Sequence, residues 1–219
     1  MAKIKDYKSG LIHCVAAGLS LAGLVILIIF AAINGDAFDI VSFTLFGTGL
    51  LLYYTFSTLY HWLNLGKNGT NIFKKFDNIM TYLLIAVTFT PICLGPIRGA
   101  WGWSIFGIIW GFSVAGISLS AIWVKLPKLV IDIFYIILGI IIFITIFPLI
   151  NTYKVANLLN SLYFLLIGSI FYFLGGFINN LKFNKSSIKQ INFHDVLHIF
   201  TVIGSIFHYW FIINYITIL

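Results

Sequence analysis

Seven apolar runs punctuate this chain, at about 11–33, 40–63, 78–94, 101–124, 129–150, 155–177 and 196–218, and each approaches or exceeds the length needed to cross a bilayer. A helix rises 1.5 Å per residue, so roughly 20 residues match a hydrocarbon core ~30 Å thick. Hydrocarbon offers no partner to an open backbone N–H or C=O, so runs of this kind fold as helices whose main-chain groups are satisfied internally. The expected fold is therefore all-α: a polytopic membrane protein with one seven-transmembrane helix bundle occupying residues 1–219. The connections are brief and carry turn formers such as Asn34-Gly35-Asp36, Gly95-Pro96 and Pro127, leaving no room for a soluble domain. The first run exceeds the ~7–15 apolar residues of a signal-peptide core and reads as an uncleaved span.

Composition decides what the charge means. With 61% hydrophobic and only 9% charged residues, a net charge of +7 comes from a few cations in the connections. Lys3, Lys5, Lys8, Lys67, Lys74, Lys75, Lys125, Lys128, Lys182, Lys185 and Lys189 fall on one side of the alternating topology, and only Arg98 and Lys154 fall on the other. Cytoplasmic connections are enriched in Lys and Arg, so the N-terminus is expected in the cytoplasm and the C-terminus outside, in a cell membrane. This distribution is a topology signal and excludes a nucleic-acid footprint, which needs a clustered basic patch. Cys14 and Cys93 fall near opposite faces, too far apart for a disulfide.

The chemistry gathers at the inner face. In the last run His194, His198, Thr201, Ser205 and His208 fall within about an 80° arc at 100° per residue. Polar groups confined to one stripe of a lipid-embedded helix imply that the stripe faces protein or trapped water. His194 and His198 are four apart and can reach one ion, whereas His208 lies roughly 15 Å further along the axis. The second helix brings Ser57 and His61 to its inner end, and Asp77 follows at the inner start of the third. The expected metal ligands are thus His61, His194 and His198, three imidazoles that leave a fourth position for water. That set suits catalytic Zn2+. Asp77 is the acid placed to take a proton from that water, and Asp195 is expected to face the helix N-terminus, where the dipole favours it.

Each of these residues also has a plainer reading. Histidine pairs bond between helices, carboxylates suit first turns, and buried serines bond back to their own helix. His208 is expected in a packing or supporting role. His13 is the rival ligand, otherwise expected to support. The pairs Gly18 and Gly23, Gly107 and Gly111, and Gly175 and Gly176 are expected to allow close helix packing.

Ser57-Thr58-Leu59-Tyr60-His61, then Phe76-Asp77, then His194-Asp195-Val196-Leu197-His198 with His208 beyond, resemble the hemolysin III branch of the progestin and adipoQ receptor family. Gly10-Leu11-Ile12-His13 ahead of a glycine-containing span adds to the resemblance, which covers essentially the whole chain. It implies a zinc held by His61, His194 and His198, with Asp77 and Ser57 holding its water, as in the related alkaline ceramidases. The acidic residue usual ahead of the first span has no clear counterpart; Asp6 is a poor substitute.

The leading functional expectation is a zinc-dependent hydrolase that cleaves an amide or ester bond in a lipid-like substrate entering from the bilayer, with Asp77 and Ser57 catalytic. A pore-forming hemolysin is the alternative, although no continuous polar stripe crosses the spans. A receptor or sensor with structural zinc is the third. A retinal-binding opsin is disfavoured, because the seventh run has no lysine to form a Schiff base.

Overall fold

The computed structural model describes residues 6–123, 127–180 and 193–216. Lys3, Lys5, Lys125, Lys182, Lys185 and Lys189 lie outside the described residues, as do the side chains of Lys128 and His194. Seven long helices carry the described chain: α1 (Tyr7–Asn34), α2 (Ala37–Trp62), α3 (Gly66–Leu94), α4 (Ala100–Ile122), α5 (Lys128–Val155), α6 (Leu162–Asn180) and α7 (Phe193–Tyr215). A 3-10 turn at Leu159–Ser161 leads into α6, and no strand occurs among the described residues. Six of these segments are long and apolar enough to cross a membrane, and α5 adds a helix of 28 residues over the fifth apolar run. This is a multi-pass membrane protein.

The helices alternate in direction. At one end the start of α1 meets the end of α2 and the start of α7, through Asp6 with His61 and Ser9 with Asp195. At the other end the Tyr153 hydroxyl of α5 donates to the carbonyl of Tyr215, and Arg98 in the α3–α4 connection pairs with Asp36. Among the described residues the most extensive helix pairs are α1 with α2, α6 with α7, α2 with α3 and α3 with α4.

Helix ends differ from the sequence expectation at two places, each with a physical reason. Helix α3 begins at Gly66 instead of near Asn78, so the lysine-bearing stretch 67–75 is helical. Lys75 Nζ donates to the terminal carbonyls of α4, Ala121 (2.6 Å) and Ile122 (3.3 Å), where a cation complements the exposed C=O groups. The sixth span begins at Leu162 and not at Val155, because α5 continues through Lys154 in its last turn and the chain reverses at Asn157, which takes φ 57°. Asparagine is among the few non-glycine residues that adopt this conformation readily.

Buried and exposed faces follow the polarity of each helix. On α7, His198, Thr201, Ser205 and His208 are buried, while Ile199, Ile206 and Trp210 are exposed. This is the expected orientation of a polar stripe within a bilayer. The close glycine contacts are mostly elsewhere than expected: Gly18, Gly107, Gly111 and Gly176 face open space, whereas Gly49 meets Val87, Gly116 meets Tyr82 and Gly204 meets Tyr172. Gly23 and Gly175 do lie against α7, at Tyr209 and at Leu197 with Phe200. Small residues let backbones approach where the facing side chain is large, and a glycine-spaced pair alone does not say which face has a neighbour. Cys14 and Cys93 are both free thiols.

Candidate metal centre

Three helices deliver three buried histidines to one point. His13 lies in the second turn of α1, His61 in the last turn of α2 and His198 in the second turn of α7. Ring centroids are 4.2 Å apart for His13 and His198, 4.8 Å for His61 and His198, and 5.7 Å for His13 and His61. One nitrogen from each ring lies within 4.8 Å of those of the other two. The rings of Tyr53 and Tyr54 close over His13.

The local sequence explains this convergence. Helix α2 starts at a capping box between Asp36 and Asp39, which satisfies its first N–H groups and fixes its first turn. It stops at Trp62, and its His61 carbonyl accepts a 2.9 Å hydrogen bond from the backbone N–H of Asp6. The Trp62 indole then lies directly on Gly10 of α1, where an added Cβ would overlap the ring. Gly10 therefore lets the end of α2 press against α1 one turn before His13. On α7, Asp195 accepts from the Ser9 hydroxyl at 2.6 Å, which docks the first turn of α7 on α1 three residues before His198.

Beside the histidines, the Ser57 hydroxyl of α2 donates to Oδ1 of Asp77 on α3. Ser57 stands one turn before His61 and is fully buried. The bond to Asp77 displaces the plainer reading in which Ser57 bonds back to its own helix. Asp77 also loses its plainer reading, and its expected place at the start of the helix: with α3 beginning at Gly66, it lies about three turns in, beyond the reach of the helix N-terminus.

The structure brings His61 and His198 together, and Ser57 and Asp77 together. The side chain of His194 lies outside the described residues; its backbone belongs to the first turn of α7, one turn before His198. His13, expected in support, has its ring within the group. A signal for it was present: Ser9, His13 and Ser20, with Ala16 between, form a buried small-and-polar stripe along an otherwise apolar α1. His208 stands apart, against Tyr172 with ring centroids 4.9 Å apart. Tyr172 and Tyr54 both hydrogen-bond Ser205, so this part of α7 is occupied in interhelical bonding.

The chemistry of this donor set fits a divalent transition metal. Imidazole nitrogens are common ligands of zinc, and one nitrogen from each of the three rings lies within 4.8 Å of the others. Three imidazole donors from three helices could hold one ion and leave a fourth position open.

The haemolysin-III related family model matches residues 1–209. The chain belongs to the haemolysin III family. That family is part of the wider progestin and adipoQ receptor family. Among curated relatives, the "Hemolysin-3 homolog" of Bacillus subtilis (strain 168) is 35% identical over 202 residues, covering 92% of this chain and 89% of that protein. "Hemolysin-3" of Bacillus cereus is 32% identical over 216 residues, 97% and 92% of the two chains. No solved structure matches. The matched region contains every histidine discussed above, so the candidate metal centre lies within it.

Proposed function

We propose that this haemolysin III protein is a zinc-dependent membrane hydrolase that cleaves an amide or ester bond of a lipid reaching the site from the bilayer. The observation that carries the reading is the convergence of His13, His61 and His198 beside the Ser57–Asp77 pair. His61 and His198 would hold the ion, with His13 as the third ligand that the packing favours and His194 as the one the sequence pattern favours. Bound there, zinc supplies Lewis acidity, which polarises a carbonyl and lowers the pKa of a water toward ~7. Asp77 accepts the proton of the attacking water and returns it to the leaving group. Ser57 holds the Asp77 carboxylate in place by donating to Oδ1, and its lone pairs would accept a hydrogen bond from the attacking water. The exposed apolar flanks of the bundle, such as Val15, Leu19 and Ile206, are lipid-facing surfaces along which a lipid substrate would approach.

The test combines metal analysis of purified protein with a lipidomic comparison of cells carrying wild type and Asp77→Ala. About one zinc per chain, with a lipid amide or ester accumulating in the variant, supports the reading. Hydrolysis that persists after the zinc is removed defeats it.

A pore-forming role is the second reading, favoured by the relatives' printed name, "Hemolysin-3". Liposome leakage that is equal for wild type and His198→Ala would separate leakage from the metal and favour the pore.

A further inference from the structure

The residue that precedes α1 reaches across the histidine group. Asp6 is the N-cap of α1, with Oδ1 accepting from the Ser9 N–H at 3.4 Å. Its backbone N–H holds the His61 carbonyl at 2.9 Å, and its Oδ2 lies 3.6 Å from Nδ1 of the same histidine. Ser9, in the same turn, ties down α7 through Asp195. One turn of chain therefore holds the ends of the two helices that present His61 and His198.

We propose that Asp6 is a positioning residue for His61, setting which ring nitrogen carries the proton and so which one faces a metal. The 3.6 Å separation is too long for a hydrogen bond. It is short enough for the carboxylate charge to favour a proton on Nδ1, because the His61 side chain is only 3% exposed and that of Asp6 30%, which weakens screening by water. With Nδ1 protonated, the fully buried Nε2 keeps its lone pair. Carboxylates that face a ligand imidazole fix its tautomer and orientation and strengthen it as a donor, and their loss typically weakens metal binding by about 10–100-fold. Asp6 thereby acts through His61.

The inference rests on His61 being a metal ligand, and the experiment separates the two claims. Zn2+ affinity of the purified full chain is measured by chelator competition for wild type, Asp6→Asn and Asp6→Glu, together with the thermal midpoint of each metal-free protein. Asparagine caps helices as well as aspartate does, so Asp6→Asn keeps the α1 cap and the main-chain bond to His61 and removes only the charge. The expected result is a ~10–100-fold loss of affinity in Asp6→Asn with an unchanged metal-free midpoint, and recovery of most of that affinity in Asp6→Glu. Equal affinity in wild type and Asp6→Asn overturns the positioning role and leaves the metal site standing. An Asp6→Asn protein that unfolds without metal, or an Asp6→Glu protein as weak as Asp6→Asn, makes Asp6 a structural cap only and also overturns it. A wild type that takes up no zinc overturns both claims.

Discussion

The two ends of the bundle use charged and polar side chains in opposite ways. At the histidine end, His13, His61, His198 and Ser57 are buried and are brought together from three helices. At the other end a cleft of about 730 Å³ is lined by Asn34, Asp36, Asp39, Pro96, Arg98 and Ile216, and its charges serve the fold. Asp36 and Asp39 form the α2 capping box, and Arg98 pairs with Asp36 at 2.5 Å while its guanidinium lies over the Phe38 ring. Both partners of that pair are about half exposed. The open cleft is thus where the polar groups are already committed, and the histidine group is where side chains close tightly on one another.

The sharpest way to break this contrast is to remove a histidine. His61→Ala and His198→Ala are each expected to abolish stoichiometric zinc binding, read by metal analysis of the purified protein. His13→Ala and His194→Ala then decide the third ligand. Loss of zinc in His13→Ala with retention in His194→Ala favours the set that packing brings together, and the reverse outcome restores the set read from the sequence.

Next in size is Asp77→Ala, which should retain zinc while hydrolysis falls about 10²–10⁴-fold, the range of a general acid–base group. Ser57→Ala should cost about 10–100-fold in rate, in line with one hydrogen bond to a charged acceptor. If both variants hydrolyse the substrate at the wild-type rate, the pair serves packing and not the reaction.

Changes at the opposite end should leave zinc untouched. Asp36→Ala removes the α2 cap and is expected to cost about 1 kcal/mol, seen as a lower thermal midpoint. Arg98→Ala should shift that midpoint least, as exposed pairs contribute little. The hydrogen bond from Arg98 holds the Asp36 carboxyl below its usual range. A depressed carboxylate stabilises the fold above its unfolded pKa of ~3.9 and loses that contribution as pH falls through the lower folded value. The difference between wild type and Arg98→Ala should accordingly be constant near neutrality and vanish only in strong acid. A zinc affinity that changes in either variant would join the two ends and erase the contrast.

Much of this was legible before any coordinates. The runs that became α1, α2, α4 and α7 match their helices to within about four residues at each end, because apolar length is a direct physical requirement of the bilayer. The start of α3 was not legible: Lys67, Lys74 and Lys75 look like a loop when hydropathy is the only guide, yet they lie in a helix whose cation serves the end of α4. His61 and His198 could be singled out because spacing puts each on a polar face at an inner helix end. His13 could be noticed only as a rival. Whether its ring joins the others depends on how deeply α1 sits against α2 and α7, which Trp62 on Gly10 and Ser9 on Asp195 decide.

The sequence by itself determined the number of crossings, the all-helical class and which stripes turn inward, since hydrocarbon imposes those choices one segment at a time. Tertiary structure alone decided that the ring of His13 stands with those of His61 and His198, that Ser57 donates to Asp77 and not to its own helix, and that Asp6 stands beside His61. Those outcomes depend on the relative depth and rotation of packed helices. Such register is fixed by contacts between residues far apart in the chain, and no periodicity within a single segment encodes it.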